Sequence, residues 1–298
     1  MTSSIDRSAP ASRRVLAEPE WRLLAQAHEH RVDAWTGPHL RRRSRAEAHP
    51  VEDFLWTYYS YRPKSLRTWQ PGWGCTLTGD VASFAGVRGW VVEGDRARVD
   101  PALPALRIAQ LREIRDLLVA TDDRAPQLGC FGLHEWAMVY RQPAGDVRHP
   151  VPLRLGPDGT DAVVESHRIA CSHYDAYRFF TPEATSLNTR RPTLATRAAH
   201  EQPGCLHAGM DVYKWAYKLV PFTSASLVAD CFELAREIRE IDMRASPYDL
   251  TAWGYPPVAI ETPAGKAEYV RAQRAFGVRA TALRQRVIEV ADDVLQVA

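Results

Sequence analysis

The sequence predicts a mainly helical α+β protein of one domain, with small antiparallel strands. Three observations predict it. Apolar residues recur at helical spacing over long stretches, most regularly in 225–244, where Leu227, Cys231, Leu234, Ile238 and Ile241 alternate steps of four and three. Only 73–99 and 151–171 carry the alternation and turn residues of strands. No internal repeat and no clear linker divides the 298 residues, so 17–298 reads as a single catalytic domain.

The elements follow in order. Residues 1–16, rich in Ser, Ala, Arg and Pro, read as a disordered tail. Residues 18–48 read as a polar helix or helix pair, broken at Thr36-Gly37-Pro38. Val51 to Tyr61 reads as an aromatic helix that Pro63 ends. Residues 73–99 read as two or three strands, with a turn at Glu93-Gly94-Asp95. Residues 104–121 form an amphipathic helix with Leu106, Ile108, Leu111, Ile114, Leu117 and Leu118 on one stripe. A Gly-marked entry, Gly129-Cys130-Phe131-Gly132, leads into a short helix. Residues 151–171 read as a hairpin turning at Gly156-Pro157-Asp158-Gly159, and 181–204 as loop. Helices are expected over 205–219, 225–244 and 265–296.

Composition narrows the function classes. No apolar run approaches the roughly 20 residues that cross a bilayer. The N-terminus has no apolar core of a secretory signal, which implies a cytoplasmic protein without a membrane partner. Five widely spaced cysteines without a C-x-x-C suggest reduced thiols, not a disulfide framework or zinc ribbon. A net charge of +2 gives no strong non-specific pull on nucleic acid. Among 38 basic residues only four are lysines, and two of these, Lys214 and Lys218, share one short segment. No protein partner is indicated.

Three segments carry clustered ionisable residues. The first holds His134 and Glu135, which can supply acid–base groups or metal ligands. Adjacent helical residues diverge by about 100°, so the two cannot easily aim at one point. In the second, an extended 161–173 would place Glu165, His167, Cys171 and His173 on one strand face, with Asp175 just beyond. In the third, His207 and Asp211 are four apart on one helix face, with Lys214 and Trp215 following. Pro203 and Gly204 would let that helix begin close to another backbone. Buried ionisable groups are costly unless paired, so a common pocket is the simplest arrangement for all three segments. Arg178, Arg190 and Arg191 offer anion contacts, and the basic and aromatic residues of 58–69 can stack bases or meet phosphate.

The runs GCFGLHEWAMVYR, ESHRIACSHYDAYRFF and QPGCLHAGMDVYKWAYKL, with the helix LVADCFELAREIREIDMRASPYDL, resemble a bacterial family commonly labelled 3-methyladenine DNA glycosylase. The resemblance covers about residues 20 to 290. It implies a hydrolase that cleaves the N-glycosidic bond of an alkylated or modified purine, acting on DNA or a nucleobase-containing small molecule in DNA repair, with no cofactor required. The helix-hairpin-helix pattern of characterised alkylpurine glycosylases has no counterpart, so no catalytic residue carries over. Such chemistry needs a carboxylate and an aromatic slot. Asp211, Asp175 and Glu135 are the candidate carboxylates, with Trp136, Tyr174 and Trp215 as candidate walls.

Two other readings stay open. The residues His134, Glu165, His167, His173 and His207 with Asp211 suffice for a zinc- or iron-dependent hydrolase or oxygenase acting on a small molecule. A non-enzymatic nucleic-acid or small-molecule binding protein is the third.

Overall fold

The computed structural model describes residues 14–142 and 151–298. The expected disorder of residues 1–13 lies outside the described residues.

Strand β1 (Arg14–Leu16) opens the described chain. Then come α1 (Glu18–Ser44), α2 (Phe54–Tyr58), α3 (Pro63–Arg67), β2 (Cys75–Thr78), β3 (Trp90–Glu93) and β4 (Arg96–Val99). Helices α4 (Leu103–Leu106), α5 (Ile108–Asp122), α6 (Leu133–Ala137), α7 (Gly156–Glu165), α8 (Tyr174–Tyr177), α9 (Pro182–Thr185) and α10 (Arg197–His200) follow. Three long helices close the chain: α11 (Leu206–Lys218), α12 (Ala225–Arg244) and α13 (Pro263–Leu295). The architecture is mainly helical α+β, one domain with one small sheet.

The sheet order is β1-β2-β4-β3. The β3–β4 hairpin turns at the expected Glu93-Gly94-Asp95, and β2 joins β4 antiparallel. β1 runs parallel to β2, so the sheet is mixed and not purely antiparallel. That pairing also removes Arg14–Leu16 from the expected tail: Leu16 is buried beside Trp21, whose Nε1 donates to the Thr78 carbonyl.

Helix α1 runs unbroken through Gly37 and Pro38. Its Val32, Thr36 and His39 are buried at steps of four and three, and this burial outweighs the local breaker. The aromatic segment yields only the five-residue α2, and Pro63 starts α3, a first-turn position where its missing N–H costs nothing. The stretch 104–121 divides into α4 and α5.

The largest correction concerns 151–171, which holds no hairpin. Gly156-Pro157-Asp158 begins α7, because Pro and an acid also mark a helix first turn. Thr160, Val163 and Val164 then share its buried face. The loop 181–204 carries the short helices α9 and α10.

Helix α11 packs against α12 and α13, and α13 also packs against α5. Ser224 caps α12 by accepting from the Leu227 N–H, and Thr262 caps α13 by accepting from the Gly265 N–H. Gly209 sets the α11–α12 approach: a Cβ there would lie 3.1 Å from the Ile238 side chain. Among the described residues no helix is long and apolar enough to cross a membrane.

Candidate functional site

Helix α6 delivers His134 and Glu135 into the interior through a tight entry. Phe131 and Gly132 both take positive φ, +50° and +74°, the first unusual for a residue with a side chain. Two turns of α12 lie opposite. As adjacent helical residues must, His134 and Glu135 diverge: His134 Nε2 lies 3.2 Å from Asp242 Oδ1, while Glu135 pairs with Arg239 at 2.9 Å. On its other side His134 Nδ1 lies 3.7 Å from Cys130 Sγ. All of these side chains except Cys130, which is half-buried, are buried.

Helix α11 brings His207 edge-on to His134, with ring centroids 4.3 Å apart. Gly204 makes this start possible: a Cβ there would lie 2.8 Å from the Gln127 carbonyl oxygen, the close backbone approach expected from Pro203-Gly204. His173, the N-cap of α8, stands on the far side of His207 at 5.5 Å. The three histidines from three distant segments therefore form one row.

Two polar groups flank the row. In the first, ligand atoms of His134, His207 and Asp242 lie within 4.8 Å of one another. In the second, His173, Asp175 and Asp211 do the same. The second already holds a cation. Lys214 Nζ lies 2.8 Å from Asp175 and 3.0 Å from Asp211, and the Tyr59 hydroxyl donates to Asp211 at 2.9 Å. Arg178 closes on Asp175 at 3.1 Å.

Charge follows from this packing. Burial opposes a charge on His134, but the Asp242 carboxylate outweighs it and holds the imidazole well above its ordinary range. Burial, with the His134 charge beside it, pushes His207 down to about 4, so this ring is neutral near pH 7. Burial likewise lowers His173, and neither of its ring nitrogens has a hydrogen-bond partner. Burial next to Asp211 pushes Glu201, 3.8 Å from His173 Nδ1, up to about 8.

A cleft of about 240 Å³ opens onto this interior. Glu135, Asp175, His207 and Arg239 line its polar side, and Phe54, Tyr58 and Phe179 line its apolar side. Thus His207, Glu135 and Asp175 face the cleft, whereas Asp211 lies beneath Lys214 and Tyr59.

Other residues singled out in the sequence fall elsewhere. Because α7 is a helix, Glu165 and His167 share no strand face with His173. Glu165 is half exposed and pairs with Tyr140 and Arg141. His167 Nδ1 meets the Val163 carbonyl at 2.7 Å, and neither residue joins the two groups above. Trp136 is fully buried and donates to the Ala245 carbonyl, so it walls no cleft. Trp215 is buried beneath Arg197, Lys214 and Lys218, and Tyr174 is half-buried outside the cleft lining.

Asp242, Arg239 and Glu201 were not singled out by the sequence, and Cys130 and Tyr59 entered only within the Gly-marked entry and the basic–aromatic segment. Arg239 and Asp242 lie three apart on α12, each just past a stripe residue, Ile238 and Ile241, and both are buried, so their charges find partners inside.

Comparison of the chain with family models, with curated proteins and with solved structures finds no match.

Proposed function

We propose that this chain is a cytosolic metal-dependent enzyme that holds zinc or iron through His134, His207 and Asp242 and acts on a small molecule in the adjoining cleft. One observation carries the reading. Two imidazoles and a carboxylate converge within 4.8 Å, and beyond its 3.2 Å contact with the His134 imidazole Asp242 Oδ1 has no hydrogen-bond partner. Two atoms each about 2.1 Å from one ion lie about 3.0 Å apart at right angles and about 3.4 Å apart at the tetrahedral angle. The 3.2 Å between His134 Nε2 and Asp242 Oδ1 falls between these. Two histidines and one carboxylate also suit the open-sided sites of zinc hydrolases and non-haem iron oxygenases.

A bound ion would supply Lewis acidity at the base of the cleft. The chain supplies the rest. His207 presents a neutral ring, as a ligand must, whereas His134, held protonated by Asp242, would give up its proton when an ion binds. Cys130 meets the other nitrogen of His134 and orients its ring. Arg239 holds Glu135 at the cleft wall, where this carboxylate can take or return a proton. Phe54, Tyr58 and Phe179 exclude water from one side.

Metal analysis of the purified protein tests the reading. Stoichiometric zinc or iron is expected, lost in His207→Ala. Protein that carries no metal and gains no thermal stability from added zinc or iron would overturn it.

A second reading, hydrolysis of the N-glycosidic bond of a modified purine, is favoured by one feature of the same cleft. The Phe54, Tyr58 and Phe179 rings stand beside the carboxylates of Glu135 and Asp175. An aromatic slot beside a carboxylate is what an extruded base needs. Base release from methylated DNA, abolished in Asp175→Asn without any metal requirement, would select it.

A further inference from the structure

A groove of about 1110 Å³ runs between the second half of α1 and the segment from α2 to α3. Five cations line it, Arg41, Arg43, Arg62, Lys64 and Arg67, against one carboxylate, Asp33. Arg67 already meets carboxylates, Asp33 at 2.8 Å and Glu29 at 3.0 Å. The other four are exposed and meet no carboxylate among the described residues. Arg42, between Arg41 and Arg43, pairs with Glu52 at 2.8 Å and Asp53 at 2.6 Å and does not line the groove. The unpaired cations are thus those on the groove side.

The fold does not account for this charge. The last turn of a helix favours cations, which suits Arg41 and Arg43 on α1. Arg62 and Lys64 stand at the start of α3, the end that opposes them, and line the same groove. Like charges gathered in one concavity repel one another and attract an anion to it.

The dimensions suit a chain of phosphates. From Asp33 to Arg43 helix α1 rises about 15 Å. One strand of nucleic acid carries about four phosphates over that length. Three of the four unpaired cations are arginines, whose planar fork grips phosphate at two points. A trough walled on both sides admits a strand and not a flat bilayer surface. Its aromatic residues offer no open ring face to a base. Trp56 is stacked on His39 and packs against Phe232 at 4.6 Å, and Tyr59 is buried with its hydroxyl on Asp211.

We infer that this groove binds single-stranded nucleic acid by its phosphodiester backbone, without reading the bases. It is separate from the cleft at the metal site: on α2, Phe54 and Tyr58 border the cleft, whereas Trp56 borders the groove.

Fluorescence anisotropy of the full chain with a labelled oligothymidylate of about 20 nucleotides tests this. Four phosphate contacts give a slope of about −2.8 for log affinity against log salt. The triple variant Arg41→Ala, Arg62→Ala, Lys64→Ala should bind at least tenfold more weakly at 0.1 M salt, with a slope near about −0.7. Arg271→Ala with Arg274→Ala removes exposed charge from α13, outside the groove, and should bind within about twofold of the wild-type chain. An oligoadenylate of the same length should bind as well as the oligothymidylate. No binding, equal loss in the α13 variant, or an unchanged slope in the triple variant would overturn the proposal. So would tighter binding of polyglutamate or of phosphatidylserine vesicles than of the oligonucleotide. The readout needs neither metal nor turnover, so it stands or falls apart from both readings of the cleft.

Discussion

His134 and Asp242 face each other at 3.2 Å between α6 and α12, both buried, from positions 108 residues apart in the chain. Arg239, one turn before Asp242, reaches the same carboxylate at 3.5 Å. Asp242 therefore balances two cationic groups inside the protein. Removing one partner of a buried ionic set leaves the others uncompensated, at a cost of about 3–5 kcal/mol. Asp242→Ala is expected to lower folding stability by about that amount and to abolish zinc or iron binding. Denaturant unfolding and metal analysis of the same preparation check both.

Glu201 gives a pH dependence of definite sign. Burial beside Asp211 raises its carboxyl to about 8, against 4.5 for the free group. The fold thus favours the protonated form. Its contribution to stability is whole below pH 4.5 and is lost as pH rises through about 8. Glu201→Gln fixes the neutral form in nearly the same shape. It should leave the melting temperature near pH 4.5 little changed and raise it above pH 8, as melting curves across that window would read.

The contrast between α12 and α7 explains what was legible in the sequence. In 225–244 a Ser cap and an apolar stripe agree, and α12 occupies those residues. In 151–171 the residues Gly156-Pro157-Asp158-Gly159 serve a tight turn or a helix start equally well. The buried trio Thr160, Val163 and Val164 decides for the helix. The same error carried Glu165 and His167 into a candidate site that they do not join. His134, His173 and His207 were legible because ionisable residues interrupt apolar runs. The meeting of Cys130 and Cys205 at one cavity was not, because it depends on how two loops pack and no spacing rule encodes that. Arg239 and Asp242 were hidden by the regularity of α12, where charges three apart read as a solvated pair.

Lys214 is the internal cation of the second polar group. Burial opposes its charge, yet Asp211 and Asp175 outweigh that and hold the ammonium protonated. In return Lys214 keeps the Asp175 carboxyl below its ordinary range, although burial works the other way. Lys214→Met would leave two carboxylates sharing one buried space. It should cost about 3–5 kcal/mol near neutral pH and much less in acid, where the carboxylates take up protons. Lys214→Gln, which keeps a hydrogen-bond donor without the charge, should recover only a small part. Urea midpoints at two pH values separate the charge from the packing.

The α5–α13 contact offers a test free of the candidate site. Arg284 on α13 is buried, and its guanidinium meets Asp122, the last residue of α5, at 2.8 Å. Desolvation of such a pair roughly offsets its attraction, so the pair as a whole adds little. Losing one member is another matter, because a lone buried guanidinium has no water to replace the carboxylate. Asp122→Ala is thus expected to destabilise by about 3–5 kcal/mol, whereas Asp122→Leu combined with Arg284→Met should lie within about 1 kcal/mol of the wild-type chain or above it. A double-mutant cycle in denaturant reads the difference. If Asp122→Ala and the double variant were equally destabilised, the α5–α13 interface would depend on the ion pair itself and not on the apolar residues around it.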